Sequence, residues 1–139
     1  MITATSEASY YRTRFTNGKE VSYSDTTNAK DGSQAGFRPH ELLEAALANC
    51  MNITARMYAE RHSIPLAHVS TLVEIDRSQP GEAAFKFSIE IKGSLSEAQR
   101  QDILNAIRSC PVRSTLSRKL SFHEDTEKVA AQPVTPSDA

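Results

Sequence analysis

The chain has 139 residues, of which 39% are hydrophobic and 24% charged, and its net charge is −1. This is the size and make-up of one ordinary globular domain. It excludes a membrane-spanning design, since no apolar run reaches about 18 residues. The evenly mixed charge also excludes an electrostatic footprint for nucleic acid or an anionic membrane.

The first 37 residues are polar, with short β-like pieces. Ile2 to Thr5, Tyr10 to Phe15 and Glu20 to Tyr23 are expected as strands, with Asn17-Gly18 as the hairpin turn. The opening MITATSEASYYRTRF has no basic region followed by an apolar one, so a cytoplasmic location is expected. Asp25 to Gly36, rich in Thr, Asn, Asp, Ser and Gly, reads as a loop. The strongest helix is predicted over Pro39 to Arg61, because proline suits the first helical turn. Leu43, Ala46, Leu47, Cys50, Ile53, Thr54 and Met57 recur at spacings of three and four, which predicts one apolar face. The stretch from His62 to Pro65 ends that helix.

Two strands follow. Val69, Thr71, Val73 and Ile75 form one β-branched face of the first. In the second, Phe85, Phe87, Ile89 and Ile91 alternate with Lys86, Ser88, Glu90 and Lys92, the pattern of a half-buried antiparallel strand. Pro80-Gly81 marks the turn between them. A second helix is predicted over Ser96 to Ser109, opened by a Ser96/Gln99 capping box. Pro111 then breaks it, since the residue before proline is pushed out of the α region. Val112 to Ser117 reads as one or two further helical turns, Lys119 to Glu124 as a last strand, and Asp125 to Ala139 as a loose polar tail. This order predicts an α+β fold with an antiparallel sheet. A long helix with an apolar stripe needs more cover than one small sheet supplies, which favours a dimer.

The two cysteines carry the chemical question. A reducing cytosol disfavours a permanent disulfide, and the lack of C-x-x-C excludes thioredoxin-type and zinc-ribbon motifs. If Pro111 opens a short helix, Cys110 is its N-cap, where free N–H groups favour a thiolate. Arg113 and Arg118 add positive charge nearby; the plainer reading is a buried cysteine before a turn. Cys50 lies mid-helix among apolar residues, where packing is the simpler role. His40, His62, His68 and His123 show no ligand spacing, so no metal is expected. No G-x-S-x-G elbow or glycine-rich phosphate loop is present, and no cofactor is expected. Arg12, Arg14 and Arg38 read as solvated surface charges.

Two segments together resemble the OsmC/Ohr family: RPHELLEAALANCMNIT at 38–54 and SCPVRSTLSRKLSF at 109–122. The strand pair and second helix lie between them in the family's order. The resemblance covers residues 10 to 124 and implies one OsmC-like domain over 1–124, with 125–139 as a flexible tail. It implies an interlocked homodimer, with each site at the subunit interface. It further implies a thiol-dependent peroxide reductase, with organic hydroperoxides preferred. Cys50 would be the peroxidatic thiol, Cys110 the resolving thiol, and an external dithiol or lipoylated protein the reductant. Leu43, Leu47, Ile53 and Met57 would line an apolar substrate pocket.

The organic hydroperoxide resistance branch carries a glutamate ten positions before its peroxidatic cysteine. His40 stands there in this chain, and Glu41 follows, as in other OsmC-like branches. The branch's hairpin arginine aligns with Thr16, leaving Arg14 and Arg38 as the candidate cations for Cys50. Two other roles stay open on the sequence: a non-catalytic relative that binds a small apolar ligand, and a redox sensor.

Overall fold

The structure is a computed structural model that describes residues 1–8, 11–26 and 36–125. Most of the expected loop at 25–36, and all but the first residue of the expected tail, lie outside these residues. The elements run β1 (Thr3–Ser6), β2 (Thr13–Thr16), β3 (Val21–Ser24), α1 (Pro39–Arg61), β4 (Leu66–Asp76), β5 (Ala84–Gly93), α2 (Glu97–Arg108) and α3 (Pro111–Leu116). This is the expected α+β arrangement, but the strands form two separate antiparallel sheets, β1-β2-β3 and β4-β5. Among the described residues no helix is long and apolar enough to cross a membrane.

The β2–β3 turn forms where Asn17-Gly18 predicted it. Asn17 Oδ1 accepts the backbone N–H groups of Lys19 at 2.9 Å and Glu20 at 2.8 Å. Gly18 takes φ 95°, a conformation open to glycine. Beyond β3 the chain returns to β3's own end, where Phe37 N–H donates to Tyr23 O at 3.1 Å. Gly36 makes this approach possible: its φ is 128°, and a Cβ there would lie 2.5 Å from Tyr23 O. Gly36→Ala is therefore expected to cost about 1–3 kcal/mol, read as a lowered urea midpoint. An unchanged midpoint would contradict the close approach.

α1 has the boundaries that its sequence predicts, but a different buried face. Leu47, Met51, Ala55 and Ala59 are buried, while Leu43, Ile53 and Met57 are 47%, 57% and 54% exposed. The periodic apolar residues are real; the small alanines turn inward because they let β4 and α2 approach closely. Cys50 falls where the buried and exposed stripes meet. The helix is tied to β4 by side chains flanking that cysteine. Thr71 Oγ1 donates to Ala48 O at 2.8 Å, and Asn52 Nδ2 donates to Val69 O at 2.9 Å.

The β4–β5 ribbon follows the predicted alternation, with Val69 paired to Ile91, Thr71 to Ile89 and Val73 to Phe87. Val69 and Ile91 are buried, and the same strand faces pack towards α1. α2 starts at the predicted capping box. Ser96 Oγ accepts from Gln99 N–H at 3.2 Å, and Ser96 N–H donates to Gln99 Oε1 at 2.9 Å. Ile103 and Ile107 bring the α2 stripe onto α1, and Cys110 completes the core at 0% exposure. The strand expected over Lys119 to Glu124 does not form. Extended chain becomes a strand only against a ladder partner, and among the described residues none lies beside it. Leu120 and Phe122 are left 55% and 96% exposed.

Candidate active site

Sixty positions of sequence separate Cys50 from Cys110, and the fold brings them together. Both are free cysteines, Cys50 half-buried and Cys110 buried. α1 carries Cys50 on the turn pinned by Ala48 and Asn52. The break at Pro111 carries Cys110, which caps α3 with extended backbone, φ −60° and ψ 146°. Cys110 lies close enough to Cys50 for each thiol to act on the other. In addition, Val112 N–H, in the first turn of α3, donates to Cys50 Sγ at 3.4 Å. One of the first-turn amides expected to serve Cys110 thus serves Cys50 instead.

Burial pushes the Cys110 thiol above the ordinary thiol range, and contact with Cys50 pushes it the same way. The backbone amide and the guanidinium of Arg113 oppose this. The folded chain therefore holds the Cys110 proton more tightly than the unfolded chain does. Stability from the neutral buried thiol is fully present below the unfolded thiol value of about 8.5. It is lost as pH rises from there towards the raised folded value. The stability difference between the native chain and Cys110→Ala is expected to narrow above that pH in urea titrations. A difference constant from neutral to alkaline pH would contradict this.

The other residues singled out by sequence lie elsewhere. Arg38 and Glu41 form a pair at the start of α1: Arg38 Nη1 donates to Glu41 Oε1 at 2.6 Å, and Arg38 N–H donates to Glu41 Oε2 at 2.9 Å. The backbone bond first, and then the guanidinium, hold the Glu41 carboxyl below its ordinary range. At 1.5 Å of rise per residue, Glu41 stands about 13 Å along the helix axis from Cys50. Arg14 lies in β2 opposite Tyr23. Among the described residues, no hydrogen bond or ion pair joins Arg14, Arg38 or Glu41 to Cys50. Arg12 is no simple surface charge, since it pairs with Glu7 at 3.1 Å and stacks 4.2 Å from the Tyr23 ring centre.

Of the four residues expected to line a substrate pocket, Leu47 borders a cavity of about 160 Å³, with Phe85, Phe87, Arg113, Leu116 and Ser117. Leu43, Ile53 and Met57 face outward from α1. Sequence reasoning missed Val112, whose contribution is a backbone N–H and leaves no side-chain signal. It noted Arg113 only as nearby charge, although its spacing, three residues after the capping cysteine, put it in the first turn of α3.

A long helix laid on an antiparallel ribbon, with two free thiols meeting at its flank, defines an α+β protein built around a cysteine pair. The family model described as OsmC-like protein matches residues 30–124, well over half of the chain, and the chain belongs to that family. Solved structures share the fold. The OsmC-like protein from Mycoplasma pneumoniae is 22% identical, with a TM-score of 0.70 over 84% of this chain and 85% of that one. The organic hydroperoxide resistance protein OhrB of Bacillus subtilis is 21% identical, with a TM-score of 0.58 over 84% and 89%. The organic hydroperoxide resistance protein OsmC from Legionella pneumophila is 20% identical, with a TM-score of 0.59 over 84% and 88%. A search of curated proteins finds no match.

Proposed function

We propose that the protein reduces peroxides through its cysteine pair, organic hydroperoxides in preference to hydrogen peroxide. One observation carries this reading: the Cys110 thiol and the Val112 amide converge on the half-buried Cys50 sulfur. Cys50 attacks one peroxide oxygen as its thiolate. The S–O bond forms, the O–O bond breaks, and the departing alkoxide takes a proton and leaves as an alcohol. Cys50 is then a sulfenic acid. Cys110 attacks that sulfur, the S–S bond forms, and the hydroxyl leaves with the Cys110 proton as water. An external dithiol or lipoylated reductant restores both thiols by exchange. The names of the Bacillus and Legionella relatives support the organic substrate class. The apolar surroundings of the pair support it too, since an alkyl group gains about 25 cal/mol per Å² of buried apolar surface.

The working unit in this reading is a homodimer. The outward Leu43, Ile53 and Met57 support it. So does a cavity of about 480 Å³ lined by Ile2, Ala4, Thr13, Phe15, Ser24, Pro39 and Leu42. Within a dimer, Arg38 and Glu41 act on the site of the other subunit, because their own Cys50 lies about 13 Å further along α1; Arg14, which has no bond to its own Cys50, joins them there. Residues 1–124 form the single OsmC-like domain of this unit, and the unit works in the cytoplasm.

Turnover tests the reading. With a dithiol in excess, cumene hydroperoxide is expected to be consumed faster than hydrogen peroxide. Absence of thiol-dependent consumption of either would overturn the peroxidase role. In sedimentation, the native chain is expected to run as a dimer and Ile53→Glu as a monomer; a monomeric native chain would refute the shared site.

A further inference from the structure

Arg113 braces the corner that carries Cys110. Its Nη1 donates to the carbonyl of Arg108, the last residue of α2, at 3.1 Å. That bond spans the Ser109-Cys110-Pro111 corner, where α2 ends and α3 begins. The guanidinium also lies 5.8 Å from the ring centre of Phe87 in β5. One side chain thus ties three elements around the buried thiol. Arg113 also borders the small cavity with Leu47, which precedes Cys50 by one helical turn.

Its charge is not spent on a carboxylate. Arg38 faces Glu41, Lys86 faces Asp76, Lys92 faces Glu90 and Arg12 faces Glu7, but among the described residues no acidic side chain pairs with Arg113. The neighbouring Arg108 turns instead to Asn105 Oδ1 at 2.9 Å. The charged or titratable groups acting on Cys110 are Cys50 from α1 and Arg113 from α3.

We infer that Arg113 is the positioning residue for disulfide closure, holding the Cys110 corner opposite Cys50 and setting how readily Cys110 attacks. This rests on the cysteine-pair function proposed above. In that step the Cys110–Cys50 S–S bond forms, the S–O bond of the Cys50 sulfenic acid breaks, and water leaves with the Cys110 proton. A guanidinium beside Cys110 favours loss of that proton. Its bond to a helix-end carbonyl, with the guanidinium plane beside the Phe87 ring, holds the corner that carries the sulfur, an arrangement that lysine reproduces only in part.

The test uses the full chain with Arg113→Gln and Arg113→Lys. Reduced protein is mixed with one equivalent of cumene hydroperoxide in the presence of dimedone, which traps sulfenic acid. Arg113→Gln is expected to raise the ratio of dimedone adduct at Cys50 to disulfide several-fold, and Arg113→Lys to fall between it and the native chain. A second readout needs no peroxide: in the Cys50→Ser background, the thiolate absorbance of Cys110 is titrated with and without Arg113→Gln. The titration is expected to move upward when the guanidinium is removed. A lowered melting temperature with an unmoved ratio and an unmoved titration would mean that Arg113 is only structural, and overturns the inference. If peroxide leaves Cys50 unmodified in the native chain, the peroxidase function fails. The Cys110 titration still decides whether Arg113 acts on the thiol.

Discussion

Cys50→Ser is expected to lower peroxide consumption by about three orders of magnitude or more, because a serine hydroxyl does not replace a thiolate nucleophile. The change is small in volume and Cys50 is only half-buried, so the fold should survive it. Cys110→Ser should behave differently. Cys50 still meets peroxide, but its sulfenic acid has no neighbouring thiol, and excess peroxide drives it on to sulfinic acid. The expected record is one rapid peroxide equivalent consumed to the sulfenic acid, a slower second to the sulfinic acid, and then stalling, with two oxygens added to Cys50 by mass. The two variants together assign the roles, since a packing cysteine at position 50 would leave peroxide consumption unchanged. Equal, sustained turnover in both variants would exclude the pair as the reacting groups.

The second large effect concerns the packing behind the site. Ile107 is fully buried, and its carbonyl accepts the Cys110 N–H at 3.1 Å. Ile107→Ala deletes buried carbon beside α1, in a core that holds only nine buried apolar side chains among the described residues. The expected loss is about 2–5 kcal/mol, the range for large-to-small core changes where the cavity does not collapse. For a domain of this size that is a large fraction of total stability. Urea unfolding at constant slope measures it; a loss below about 1 kcal/mol would show that the α1–α2 contact repacks freely. The same change loosens the corner under Cys110, so disulfide formation should slow as well.

Much of the fold was legible because it rests on local rules. Pro39 opens α1, the Ser96/Gln99 box opens α2, and Pro111 separates α2 from α3, each by chemistry confined to a few residues. Alternation set the β4–β5 faces. The face of α1 was less legible, since periodicity groups Leu43, Ile53 and Met57 with Leu47 but does not say which neighbour covers them. Inside the chain, Ala55 and Ala59 take buried places beside Leu47 and Met51, while Leu43, Ile53 and Met57 turn outward. The final strand failed for a related reason: alternation marks extended chain, whereas a strand needs an edge to pair with. At the site, both cysteines were legible as candidates, but not their meeting, which joins positions 50 and 110 through tertiary packing. The Val112 amide was invisible because every residue but proline has one.

The central claim is that Cys50 and Cys110 form a working redox pair in one chain. Intact mass after adding one equivalent of cumene hydroperoxide to reduced protein tests it most directly. The pair predicts loss of two hydrogens and of both free thiols, restored by a dithiol, with Cys50 and Cys110 recovered in one linked peptide. Oxygen added to Cys50 while Cys110 stays alkylatable, or no change at all, would contradict it.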